Sequence, residues 1–161
     1  MIYKKIIETP IGKIYIAEEN NKIIEINLDS KKNNYEIKNT KVLNLAEKQL
    51  LEYFEGKRKK FDLPLKLKGT PFQEKVWNEL LKIPYGETRT YGEIAKNIEN
   101  PKAARAVGMA NHNNPISIVV PCHRVIGVNN RLVGYGLGLD KKQYLLELEK
   151  RTLRNVSKAK L

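Results

Sequence analysis

The sequence predicts an α+β protein. A small N-terminal α+β domain with a short antiparallel sheet spans residues 1–69, packed on a mostly helical C-terminal domain (70–161) containing a helix-turn-helix. Two observations carry this prediction. Short runs before residue 30 alternate apolar with polar side chains, the period of half-buried strands. Beyond Gly69 the apolar residues recur at helical spacing behind threonine caps, and two short helices adjoin through a tight turn.

In order, residues 2–8, 13–17 and 22–28 read as three short strands, turned at Thr9-Pro10-Ile11-Gly12 and at Glu19-Asn20-Asn21. In the third, Ile24, Ile26 and Leu28 alternate with Glu25 and Asn27, which suits a sheet with one buried face. Residues 31–39 are polar and irregular. Val42, Leu45, Ala46, Gln49, Leu50 and Tyr53 then fall at helical spacing, ended by Gly56. Phe61, Leu63, Leu65 and Leu67 alternate with polar residues and Pro64, an extended strip leading into the second half. No chemical constellation lies in this first half.

The second half opens with Thr70-Pro71-Phe72-Gln73, where an N-cap threonine, a proline at the first helical position and a capping-box glutamine stand in order. The helix carries Phe72, Val76, Trp77, Leu80 and Ile83 and stops at Pro84-Tyr85-Gly86. Thr90-Tyr91-Gly92-Glu93 repeats the capping pattern for a short helix through Ile98. The chain turns at Glu99-Asn100-Pro101, with Asn100 and Pro101 starting the next helix. The apolar run 116–120 reads as a buried strand that stops at Pro121, and another helix begins near Asp140.

Composition narrows the setting. No run of about 18 apolar residues is present, so no membrane span is expected. A single cysteine and an N-terminus that enters a strand pattern at once predict a cytoplasmic protein. The net charge of +12 favours a polyanionic partner, nucleic acid before membrane surface. The clusters Lys57-Arg58-Lys59-Lys60 and 150–160 read as solvated surface.

The chemistry concentrates at Pro121-Cys122-His123-Arg124. A lone thiol makes no internal disulfide and no cysteine-rich zinc site; it is a buried apolar residue, a chance surface thiol or a nucleophile. An adjacent histidine supplies the base a thiol nucleophile needs. Regular strand geometry would point Cys122 and His123 to opposite faces, so either the chain turns after Pro121 or a water carries the proton between them. The second helix of the helix-turn-helix holds one arginine, Arg105, among small residues that include Ala106 and Gly108. Major-groove readers present several long polar side chains, whereas this face suits a close approach to the minor groove. A protein that reads little sequence yet needs DNA is more plausibly a repair enzyme than a regulator.

Tyr91, Arg105-Ala106-Val107-Gly108, Asn114-Pro115, Pro121-Cys122-His123-Arg124-Val125 and Tyr135-Gly136 together resemble the 6-O-methylguanine-DNA methyltransferase family, the suicide repair alkyltransferases. The match runs from about Thr70 to Glu149; residues 1–69 fit the family layout in outline. The resemblance implies irreversible transfer of the alkyl group from 6-O-alkylguanine, and more weakly 4-O-alkylthymine, in double-stranded DNA to Cys122. It implies base flipping from the minor-groove side, one turnover, a monomer and no cofactor. Residue by residue, it implies a relay of Cys122, water, His123 and Glu149, with Asn114 orienting the thiol. Arg105, Ala106, Gly108 and Tyr91 would contact DNA, with Tyr91 also assisting the leaving guanine. Tyr91, Tyr135, Val125 and Gly136 would line the base pocket, in a segment running from Val133 to Gly138. Arg124 would brace the site. Residues 1–69 contain neither Cys nor His, so the structural zinc of some relatives has no ligands here. Cys122 also argues against the relatives that carry tryptophan in its place and bind lesions without repair. Two alternatives stay open: a basic helix-turn-helix DNA-binding protein without chemistry, and a Cys-His-Glu hydrolase.

Overall fold

The computed structural model describes residues 1–128 and 135–159. They form two compact units: Met1–Lys68 with Pro115–Ser117, and Gly69–Asn114 with the chain from Ile118 onward. Unlike the expected division into 1–69 and 70–161, the chain thus returns briefly to the first unit at Pro115–Ser117.

The first unit is built on strands β1 (Ile2–Thr9), β2 (Gly12–Glu19), β3 (Lys22–Leu28) and β4 (Glu36–Ile37), in spatial order β3-β2-β1-β4. The first three are antiparallel, as the alternation predicts; β4, in the stretch read as irregular, adds a short parallel edge to β1. Asn20 and Asn21 both hold left-handed φ values, 53° and 65°, the backbone a two-residue hairpin turn demands and asparagine tolerates. Helix α1 (Lys41–Phe54), capped by Thr40, packs on β1–β3. It buries Leu43 rather than the expected Leu45, which is exposed: both fit an apolar stripe, and only packing decides which is in register.

The strip 61–67 is held from both sides. The buried Gln49 side chain donates to the Asp62 carbonyl (3.0 Å) and accepts from the Asp62 N–H (2.8 Å). Further along, Ile23 and Leu65 bridge in parallel. Pro115–Ser117 does the same for the next part of β3: Ile26 donates to the Pro115 carbonyl (2.9 Å) and Ser117 donates back to Ile26 (3.3 Å). An edge strand left bare would expose its ladder groups, and these two segments occupy them.

The second unit holds α2 (Pro71–Leu80), β5 (Arg89–Thr90), α3 (Tyr91–Asn97), α4 (Ala104–His112), a 3₁₀ turn at Cys122–Arg124, β6 (Val125–Ile126) and α5 (Leu139–Ala159). Both predicted capping boxes form, Thr70 with Gln73 and Thr90 with Glu93. The turn from α3 to α4 pivots at Glu99 (φ 62°). Asn100 does not start α4: its N–H closes α3 on Ala95 and its carbonyl takes the Ala103 N–H, so the helix begins only at Ala104. Trp77 is core, its indole N–H donating to the Ala110 carbonyl at 2.8 Å, which ties α2 to α4.

The run 116–120 is not a regular strand. All five residues are buried, but Ile118 has φ 74°, a left-handed conformation that a β-branched residue adopts only when its surroundings enforce it. Burial on every side produces the same apolar run as a core strand, and sequence alone does not separate them. The parallel pair β5–β6, two residues each, is too short to leave a sequence pattern.

Candidate active site

Cys122 stands at the first position of the 3₁₀ turn that follows Pro121, 2% exposed. Because Cys122–Arg124 is a turn and not a strand, the opposite-face problem does not arise. Asn114, just beyond the C-terminus of α4, donates one amide to both the Val120 carbonyl (2.9 Å) and the Cys122 sulfur (3.0 Å). One side chain therefore fixes both the backbone entering the turn and the thiol. Asn111, on the last turn of α4, donates to the Cys122 carbonyl at 3.3 Å.

His123 is fully buried, and its Nε2 lies 2.6 Å from Glu149 Oε2. Glu149, on α5, is buried too and gathers further donors: Arg124 Nε (2.9 Å), Arg124 Nη2 (3.0 Å) and the Gly86 N–H (2.9 Å). Arg124 is itself anchored to the Ile83 carbonyl at 2.8 Å. This bidentate clamp places the carboxylate before it meets the imidazole. The expectation that Arg124 braces the site thus has a concrete geometry. The contribution of the loop at 83–86 was invisible in the sequence, because backbone groups carry no residue signature.

The electrostatics assign the protons. Burial alone would raise the Glu149 carboxyl, but His123 and Arg124 outweigh it and hold it well below the ordinary carboxylate range. An ionised carboxylate only accepts, so Nε2 of His123 carries the shared proton. Burial pushes the imidazole below its usual value, with Arg124 and Lys142 adding to that and Glu149 opposing it. The ring therefore rests neutral, and its Nδ1 is a buried lone pair with no hydrogen-bond partner among the described residues. Burial also pushes the Cys122 thiol up to about 11, against the pull of Asn114 and Lys142. The resting site thus holds thiol, with an unused base on the next residue.

Tyr91, the first residue of α3, and Tyr135 both feel the thiol; burial, then Cys122, raises each phenol. Gly108 lies against the Tyr91 ring, where a Cβ would sit 3.8 Å from ring carbons. A Cβ on Gly136 would come within 3.1 Å of the His112 carbonyl, a tight approach that favours glycine there. Val125 is wholly buried, so what it offers a ligand is backbone. Val133 and Gly134, read as part of the pocket segment, and the end of the basic tail at Lys160 lie outside the described residues.

On α4 the outward face is Arg105, Ala106, Met109 and His112, all exposed like Lys102 in the turn before it, whereas Val107, Ala110 and Asn111 face inward. Arg105 and Ala106 share that face; Gly108 is turned partly toward Tyr91. Sequence reading passed over Met109, 64% exposed, because a methionine at helical spacing suggests core. It also passed over Lys142, fully buried in the first turn of α5, because a Lys-Lys pair suggests solvent. Among the described residues no group of three or more His, Cys, Asp or Glu could hold a metal ion, and no helix is long and apolar enough to cross a membrane.

The geometry sets a buried thiol beside a neutral histidine, in a unit that also carries a helix-turn-helix. Comparison with known proteins makes the class specific. Residues 71–151 match the 6-O-methylguanine DNA methyltransferase DNA-binding domain, and residues 2–67 match the ribonuclease-like domain of the same enzymes. A methylated-DNA–protein-cysteine methyltransferase of Methanosarcina acetivorans is 52% identical over 153 residues, 92% of this chain and 98% of the relative. The constitutive one of Bacillus subtilis is 48% identical over 159 residues, 93% and 96% of the two chains. The crystal structure of Mycobacterium tuberculosis OGT in complex with DNA is similar at TM-score 0.88 and 45% identity, covering 93% of this chain and 94% of that one. The chain belongs to the 6-O-methylguanine DNA methyltransferase family.

Proposed function

We propose that this protein repairs DNA by moving the alkyl group of 6-O-alkylguanine, in duplex DNA, directly and irreversibly to Cys122. The observation that carries the reading is the buried thiol held at 3.0 Å by Asn114, next to a neutral histidine whose Nδ1 is unoccupied. The thiol proton passes through one water to Nδ1, and the imidazolium that forms is stabilised by the ionised Glu149. The thiolate sulfur attacks the alkyl carbon. An S–C bond forms, the C–O bond breaks, and guanine keeps that electron pair on its oxygen. Guanine then takes up a proton, so the relay returns to neutral and only the thioether remains. Atoms and charge balance without a cofactor.

The target must leave the stack to reach a buried sulfur, at a cost of a few kcal/mol. The exposed face of α4 suits the minor groove, with Arg105 the long side chain that fills the vacated space and Tyr91 a donor to the leaving base. Tyr135, Gly136 and the Val125 backbone line the pocket. The weaker transfer from 4-O-alkylthymine and a monomeric state belong to the same reading.

Incubation with duplex DNA containing one 6-O-methylguanine, followed by peptide mass mapping, tests it. One stable methyl group on the Cys122 peptide is expected. An acyl adduct formed with ester substrates, and none with DNA, would favour the hydrolase; duplex binding with no adduct would favour a DNA-binding protein without chemistry.

A further inference from the structure

Among the described residues Lys142 is the one buried ammonium, and the relay does not use it. It is fully buried, in the first turn of α5, with its own N–H on the Gly138 carbonyl at 3.1 Å. Two forces oppose a charge there. Burial strips the ammonium of its water, and the N-terminus of a helix repels a cation. A solvent-facing lysine would avoid both, so the position holds a charge at a penalty. What surrounds the charge is the site itself. Nζ donates to the carbonyl of Val125, which follows the Cys122–Arg124 turn, and lies 6.0 Å from the centroid of the Tyr91 ring.

We propose that Lys142 is a charge-bearing positioning residue for alkyl transfer: its buried ammonium, fixed by the Val125 carbonyl against Tyr91, is the counter-charge beside which the Cys122 thiolate forms. The proposal rests on Cys122 being the nucleophile. His123 takes the proton, and Lys142 holds the charge that stays behind. Among the described residues, no other group around the pair fills that role. Tyr91 from α3 and Tyr135 ahead of α5 are neutral phenols. Arg124 and Glu149 are engaged with each other, and His123 is bound to Glu149. The pairing is mutual: burial pulls Lys142 down to about 8 while the thiol pulls it back up, and Lys142 in turn lowers the thiol. The two groups therefore titrate as a coupled pair.

The test compares wild type with Lys142→Met, which keeps length and apolar stem but removes the charge. The rate of Cys122 alkylation by iodoacetamide is followed against pH, with near-UV circular dichroism reporting the fold. Below about pH 8, where the wild-type ammonium is charged, the rate should fall about tenfold, and the difference should shrink as pH rises past that value. An unchanged rate at neutral pH in a folded variant would overturn the proposal. Should Lys142→Met not fold, lysine-ε NMR titration of wild type against Cys122→Ser serves instead. Lys142 should titrate at lower pH once the thiol is gone, and superimposable curves would overturn the pairing. Neither assay uses DNA, so a pairing that holds while wild type fails to demethylate duplex DNA would discard the repair reading alone.

Discussion

Cys122, His123, Arg124 and Glu149 divide one task among four residues. The thiol is buried and resists ionisation; the histidine is buried and neutral; the glutamate is ionised because His123 and Arg124 outweigh its burial. Cys122→Ala should therefore abolish alkyl transfer and leave duplex affinity largely intact, since affinity should rest on the basic surface and α4; electrophoretic mobility shift and methyl-transfer assays on the same sample check this. Glu149→Gln removes the anion that Arg124 and His123 share and strands a buried guanidinium. It should cost about 3 kcal/mol or more in urea unfolding, and slow transfer. The pH dependence has a definite sign. The folded-state values of His123 and Glu149 are both depressed, so each contributes stability that is present above its unfolded value and lost as pH falls. Thermal melts should decline first below about pH 6.5 as the unfolded state takes up the His123 proton, then again below about pH 4.3 for Glu149. A melting temperature flat down to pH 4 would contradict the buried neutral histidine.

At the scale of elements, what the sequence made legible was local. Both capping boxes, the asparagine turn and the three antiparallel strands follow from short-range chemistry, and α3, β1–β3 and the start of α2 form where that chemistry puts them, although α2 ends at Leu80 rather than running on to Pro84. What it hid depends on distant partners. The left-handed Ile118, the choice of Leu43 over Leu45 and the pairing of Pro115–Ser117 with β3 are settled by packing between segments far apart in the chain. In the site, Cys122 and His123 were legible as neighbours, but Glu149 entered only through family resemblance, and Lys142, Asn111 and Gly86 did not register at all. For α4 the exposed face argues a mechanical role. If Arg105 fills the space that the flipped base leaves, Arg105→Ala should slow repair of duplex DNA about tenfold or more. Its effect on free 6-O-methylguanine base, which needs no flipping, should be much smaller. Equal losses in rapid-quench rates on both substrates would move Arg105 from flipping to support of the fold or the thiol.

For the molecule as a whole, the central claim is that the protein is consumed by its reaction. The S–C bond of a thioether is inert, so even a water activated by His123 would not take the alkyl group off sulfur. Every donor and acceptor around Glu149 and His123 Nε2 is spent on holding the relay. The net charge of +12 brings the chain to DNA, but it does nothing to release the alkyl group afterwards. The most direct measurement is a titration of radiolabelled 6-O-methylguanine duplex against a fixed amount of protein, counting methyl groups retained on the chain and methyl groups lost from DNA. The account predicts a plateau at about one methyl per protein in both counts, with none retained by Cys122→Ala. Loss from DNA continuing past one per protein, or label appearing free in solution, would contradict it.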